Sequence, residues 1–343
     1  MSDITGHGET GHCPEEPAHY PEEAARCPVC PHSCRLKPGD TGLCRARHNK
    51  GGNIVPVSYG TLTAIALDPI EKKPLANFMP GYRILSVGGF GCNMYCSFCQ
   101  NHDISQAGLK DLGRHTEQMS PSELASLALE LSRTDHNAGV AYTYNEPLIS
   151  WEYVLDTARL VHEEGLVNVL VTNGNIRPEI LQKVLPFIDA MNIDLKVFSE
   201  EGYRKLGGDF ETVKAFIKTA AGSCHVELTT LVVPRLSDSE EDMEKEASWI
   251  ADIDPDITLH ITRYFPQYKM ADTPPTDIAL MHRLKDIASK KLHRVPLTLP
   301  YRSSIREMIS FMGISLASTS FARWYFNISL AVRSIAGIAL LIS

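Results

Sequence analysis

Between residues 83 and 290 the chain alternates short β-branched runs with longer amphipathic ones, and few folds accommodate that pattern. Arg83–Val87, Gly139–Thr143, Val167–Thr172, Met191–Lys196, Val226–Val233 and Thr258–Thr262 read as strands. Ser120-Pro-Ser-Glu123 is a capping box with proline at the first helical position. It opens a helix whose Leu124, Leu127, Ala128 and Leu131 recur at i, i+3, i+4 and i+7. Further helices are expected over Trp151–Glu163, Pro178–Pro186, Phe210–Ala221, Glu240–Ala251 and Asp277–Lys290. Such alternation builds parallel βαβ units with right-handed crossovers. Six units predict an α/β fold, a partial (β/α)6 barrel, with an open doubly wound sheet as the competitor. In both, ligands collect at the C-terminal ends of the strands.

The first strand runs into Cys92-Asn-Met-Tyr-Cys96-Ser-Phe-Cys99, three cysteines at C-x3-C-x2-C spacing. Iron–sulfur clusters are normally held by four thiolates. Three in one loop hold three irons of a cubane and leave the fourth without a protein ligand, which implies chemistry on a bound ligand. A zinc site or a redox C-x-x-C pair is the alternative. Zinc prefers two separated pairs, and no second pair follows within the usual ~12–20 residues. Gly88, Gly89 and Gly91 permit the close backbone approach that a loop wrapped around a cluster needs.

The stretch Gly88-Gly-Phe-Gly-Cys-Asn-Met-Tyr-Cys-Ser-Phe-Cys-Gln-Asn101 resembles the cluster loop of radical S-adenosylmethionine (radical SAM) enzymes. Asp68-Pro-Ile-Glu-Lys-Lys-Pro-Leu75, Cys27-Pro-Val-Cys-Pro-His-Ser-Cys34 and Thr172-Asn-Gly-Asn175 resemble the branch called the AmmeMemoRadiSam system radical SAM enzyme. That branch is related to the pyruvate formate-lyase activating enzymes. The resemblance runs from about Cys27 to about Leu292 and implies the same partial barrel. It implies a [4Fe-4S] cluster on Cys92, Cys96 and Cys99 whose open iron chelates S-adenosylmethionine. Reductive cleavage of that cofactor would give a 5′-deoxyadenosyl radical for hydrogen abstraction, in the manner of a glycyl-radical activase. A low-potential donor, ferredoxin or flavodoxin, is implied; the substrate is left open among a protein, a small molecule and a nucleic acid.

The resemblance also carries residue roles. Phe98 stands where an aromatic leans on the adenine. Glu146 lies in Tyr-Asn-Glu-Pro, where related enzymes carry a Gly-Gly-Glu-Pro-like turn that holds the methionine ammonium. Asp194 and Lys196, two apart on a strand and so pointing the same way, would offer opposite charges to a zwitterionic ligand; a strand-end ion pair is the alternative. Asn173 would bond a ribose or carboxylate, and also forms an Asn-Gly turn. His260, at the sixth strand, is read as a further cofactor contact or a structural hydrogen bonder.

Upstream, Cys27, Cys30, Cys34 and Cys44 form a second set. They are read as a metal site for zinc or a second iron–sulfur cluster, with merely reduced or redox-active thiols as the alternative. A zinc-stabilised binding module built on them is the non-catalytic rival. Nine cysteines in a 343-residue chain, clustered at C-x-x-C spacing, indicate metal binding rather than a disulfide scaffold. The 41 acidic against 33 basic residues announce no nucleic-acid surface.

The expected organisation is a disordered tail over residues 1–24, a cysteine-rich segment over 25–76, a core over 77–291, and an atypical tail over 292–343. Residues 1–23 carry no signal peptide, and a cytoplasmic location is expected. After Asp286 only Glu307 is acidic, so the tail reads as divergent or as an altered reading frame. Its apolar stretch Tyr325–Ile342 contains Arg333, and the uninterrupted run is too short to span a membrane.

Overall fold

A computed structural model describes residues 24–112 and 116–299. The expectations for the tails over 1–23 and 300–343 lie outside those residues. Six parallel strands are β1 (Arg83–Gly88), β2 (Asn137–Tyr142), β3 (Val167–Thr172), β4 (Ala190–Asp194), β5 (His225–Val232) and β6 (Thr258–Arg263). Between and after them come α1 (Pro121–Thr134), α2 (Trp151–Glu163), α3 (Pro178–Val184), α4 (Phe210–Ala221), α5 (Glu240–Ala251) and α6 (Ile278–Ala288). The strands are neighbours in unbroken chain order. A doubly wound sheet reverses its order at a switch point; this one never does, so the architecture is the partial (β/α)6 barrel.

Helix starts follow local chemistry. The capping box at Ser120 and Glu123 forms as expected, and Leu124, Leu127, Ala128 and Leu131 are buried. Asp209, Ser239 and Asp277 each accept a backbone N–H at the start of α4, α5 and α6, satisfying one of the donors a helix N-terminus leaves open.

The cysteine-rich segment differs from its expected separateness. Ala64–Pro69 pairs antiparallel with β1 and extends the barrel sheet, while Leu297–Thr298 adds a short parallel strand beside β6. The described residues through Thr298 belong to one compact unit.

Residues 70–77 close the barrel's lower mouth. Ile70 and Leu75 pack among Ile84, Ala141, Val169 and Ala190 as an apolar plug. Beside it, Glu227 accepts the backbone amides of Ala76 at 2.9 Å and Asn77 at 2.7 Å, and both imidazoles of His225 and His260, the latter at 2.6 Å. His260 is therefore spent on the barrel floor and does not face the strand exits, which corrects its expected place in the cofactor site. Polar strand residues that face inward at the floor find partners within the barrel.

Burial pushes the Glu227 carboxyl up, but the imidazoles and amides outweigh it and hold it at about 2 against an ordinary 4.5. A depressed folded-state value stabilises the fold above the unfolded pKa, and that stability is lost as pH falls from about 4.5 toward 2. The size is about 3 kcal/mol at 1.36 kcal/mol per pKa unit. Glu227→Gln is expected to lose that stability at pH 6 and to flatten the acid limb of a urea-midpoint titration. An acid limb as steep as that of the parent protein would remove Glu227 from this role.

Candidate active site

At the opposite end of the barrel the strand exits and the loop after β1 enclose a cavity of about 270 Å³, near the lower end of ligand-binding clefts at roughly 300–1,000 Å³. Cys92, Cys96 and Cys99 line one side of it, and Glu146, Asn173, Asp194 and Lys196 line the strand-exit side. Met94 N–H donates to Cys92 Sγ at 3.4 Å and Asn173 Nδ2 to the same sulfur at 3.6 Å, while Cys99 Sγ pairs with Ser105 Oγ at 3.2 Å. Burial raises the Cys92 thiol well above its ordinary range, with the Glu146 carboxylate adding to the shift. Burial also lifts Cys96 to about 11, opposed by the Lys196 ammonium. A metal that coordinates such thiols deprotonates them outright, and three soft donors facing one cavity suit an iron–sulfur group.

The cysteine loop is held from three directions. Asn145 reaches up from the β2 exit, accepting Gly89 N–H at 3.2 Å and donating to Gly91 O at 3.0 Å. Asn93 Nδ2 donates to Asn175 O at 2.6 Å, and its Oδ1 accepts from Asn173 at 2.9 Å. From beyond β6, Lys269 N–H donates to Ser97 O at 3.1 Å, and Tyr268 stacks on His102. Gly91 is required here: its φ is +79°, and a Cβ would lie 2.3 Å from Cys44 O.

Comparison with known proteins places the chain in a family. The model of the radical SAM superfamily matches residues 86–247. An uncharacterized protein of Methanocaldococcus jannaschii is 35% identical over 272 residues, 77% of each chain.

The chain belongs to the radical SAM superfamily.

The pyruvate formate-lyase-activating enzyme of Clostridium pasteurianum is 27% identical over 200 residues, 57% of this chain and 80% of that one. A solved domain of a pyruvate formate-lyase-activating enzyme from Bacteroides vulgatus aligns with 48% of this chain and all of its own, at 15% identity and a TM-score of 0.42. Membership implies a [4Fe-4S] cluster and S-adenosylmethionine, and the donor set just described fits them.

The residues singled out for this radical SAM protein fare differently. Phe98 is buried and lines the cavity. Asp194 and Lys196 form an ion pair at 2.8 Å. Lys196 lies two residues beyond the end of β4, yet Leu195 N–H still bonds Thr229 O and Leu195 and Val197 are buried, so Asp194 and Lys196 share the cavity face as alternation predicts. Burial works against its charge, but Asp194 and the Cys96 thiolate hold the ammonium above its ordinary range. Asn173 is engaged with Cys92 and Asn93 and so positions the loop.

Glu146 faces the cavity at 1% exposure, yet its carboxylate already accepts Leu148 N–H, Asn173 N–H and the Thr172 hydroxyl at 2.8–3.0 Å. It ties the exits of β2 and β3 together, and burial pushes its carboxyl up to about 7 against those donors.

Sequence reasoning passed over Tyr144, Asp68 and Lys73 as site residues. Tyr144 takes φ +71°, the left-handed region that a glycine in related turns would adopt freely. Its ring runs down past Gly88, where a Cβ would lie 2.9 Å away, and its hydroxyl donates to Asp68 at 2.9 Å. Lys73, buried, pairs with the same carboxylate at 2.9 Å and sits over the Tyr144 ring. The signal was present in the Asp68–Leu75 motif, which links the floor to the cavity through one tyrosine.

Removing the Asn145 amide leaves Gly89 N–H and Gly91 O without that partner, and a buried polar group left unsatisfied costs about 1–3 kcal/mol. Asn145→Ala is expected to lower unfolding stability by that order and to speed amide exchange at Gly89. Unchanged exchange there would show that the loop does not depend on this side chain.

Proposed function

We propose that Cys92, Cys96 and Cys99 hold a [4Fe-4S] cluster with one open iron, and that the cavity beside it binds S-adenosylmethionine for reductive cleavage. Held by Cys92, Cys96 and Cys99, the cluster would supply the low-potential one-electron chemistry that reductive cleavage of S-adenosylmethionine requires. What carries this reading is one observation: three thiols and the Asp194–Lys196 ion pair line the same cavity at the strand exits. The ammonium of Lys196 and the carboxylate of Asp194 offer complementary partners to the carboxylate and ammonium of a methionine moiety. Phe98 presents an apolar ring to the adenine. Glu146, saturated by its own donors, acts by fixing Thr172 and Asn173 at the rim, and Asn173 in turn steadies Cys92.

The finer reading is an activase-like enzyme of the branch its motifs resemble, served by ferredoxin or flavodoxin. The similarity to activating enzymes of Clostridium pasteurianum and Escherichia coli supports that direction. A polypeptide is then the preferred substrate class.

Anaerobically reconstituted and reduced with dithionite, the protein is expected to convert S-adenosylmethionine to methionine and 5′-deoxyadenosine without added substrate. Cys96→Ala abolishes this. A cluster that forms but leaves the cofactor intact would end the proposal. Charge-assisted hydrogen bonds contribute ~1.5–3 kcal/mol, about 10- to 150-fold in affinity. Lys196→Met is therefore expected to weaken cofactor binding by that factor in calorimetric titration, with iron content unchanged. Parent-like affinity would leave Asp194 and Lys196 as a strand-end ion pair.

A further inference from the structure

The four upstream cysteines, widely spaced in sequence, are brought to one place by backbone pairing. The antiparallel register Ala25↔Leu36 and Arg26↔Arg35 continues into Cys27 N–H donating to Cys34 O at 2.9 Å. Cys27 and Cys34 thus stand opposite each other, where directly opposed Cβ atoms lie about 4.5–5.5 Å apart on one face. Cys30 opens the turn between them: Ser33 N–H donates to Cys30 O at 3.1 Å, and Ser33 adopts φ +46°. Cys44 sits in a second tight turn, closed by Gly42 N–H to Arg47 O at 2.8 Å and by Arg45 at φ +65°. That turn lies against the first, since a Cβ on Gly42 would be 3.6 Å from Cys34 Sγ.

The cysteines gathered there are free and mostly buried. Cys27, Cys30 and Cys44 are each under 8% exposed, and none of the described cysteines is in a disulfide. Burial raises the Cys27, Cys30 and Cys44 thiols above their ordinary range, opposed by the backbone amides of Val29, His32 and Ala46, and a coordinating metal deprotonates such thiols outright. The Arg47 guanidinium, 2% exposed, lies beside Cys27, and its Nε is a buried donor without a partner. The Arg47 charge is itself paired with Glu152 at 2.7 Å, and Nη2 donates to Ile54 O at 2.9 Å, which leaves only Nε without a partner beside Cys27. Four thiolates closing on a metal are the standard arrangement of a structural zinc site.

We propose that Cys27, Cys30, Cys34 and Cys44 bind one divalent metal ion, zinc or iron, as a four-thiolate structural site. Among the described residues no metal-ligating group of three already converges on a point; this holds equally for Cys92, Cys96 and Cys99. Convergence asks for side-chain rotation within a backbone pairing already in place.

The site would also brace the neighbouring cluster loop. His32 Nε2 pairs with Asn93 O at 2.8 Å, Arg177 donates to Cys30 O at 3.2 Å, and Cys44 O abuts Gly91. The loops that carry the two cysteine sets share a wall.

The test uses the full-length chain with Cys92, Cys96 and Cys99 all changed to Ala, which removes the other metal-binding loop. Elemental analysis is expected to find about one zinc or iron per chain and no acid-labile sulfide. Adding Cys34→Ser, at the least buried of the four, is expected to abolish it. If that variant proves misfolded by circular dichroism, mercurial titration of the unaltered Cys34 protein reports instead: metal should be released as the four thiols react. Absence of metal, iron accompanied by sulfide, or metal retained after Cys34→Ser would each overturn the proposal.

Discussion

The four-residue turn leaving β2 is the constraint on which the upper rim depends. Thr143 N–H bonds Val87 O, joining β2 to β1 one residue beyond the strand. Tyr144 then reverses into the left-handed region and sends its ring down the barrel to Asp68. Asn145 clamps the cysteine loop, and Glu146 clamps β3. Four consecutive side or main chains thus bind four different parts of the fold. A bulky residue with positive φ is strained, and here the strain is held by the Tyr144 hydroxyl and by the glycine at position 88 that makes room for the ring.

Two buried glutamates show how environment rather than residue type sets behaviour. Glu227 meets two imidazoles and two amides, and its carboxyl is held at about 2. Glu146 meets two amides and a hydroxyl with its nearest cation further off, and burial wins, at about 7. The first locks the barrel floor as a carboxylate. The second is pushed toward its neutral form by burial while its oxygens tie the exits of β2 and β3 together.

The cysteine-rich segment works as part of the barrel rather than as an appendage. It supplies the edge strand, the floor plug and the wall behind Gly91. Position 91 cannot carry a side chain because the Cys44 carbonyl occupies that space. The packing of one cysteine loop therefore restricts the sequence of the other.

The strand and helix pattern was legible because it is written in local periodicity: helices over Trp151–Glu163, Phe210–Ala221 and Glu240–Ala251 occur where the sequence places them. The cysteine loop stood out because three thiols at close spacing have few other uses, and strand exits locate a site in any parallel α/β fold. Periodicity could not choose between barrel and doubly wound sheet; the unbroken strand order did. Nor does a histidine on a strand declare which end of the barrel it faces. His260 goes to the floor because Glu227, thirty-three residues away in the chain, is its partner there. The same limit applies to Glu146, Asn173 and Tyr144, whose hydrogen-bond partners come from other strands. Sequence by itself determined the elements and the ligand types, since both are set by neighbouring residues. Tertiary structure alone decided which polar groups are already satisfied and which remain to meet a cofactor, because that depends on contacts between residues far apart in the chain.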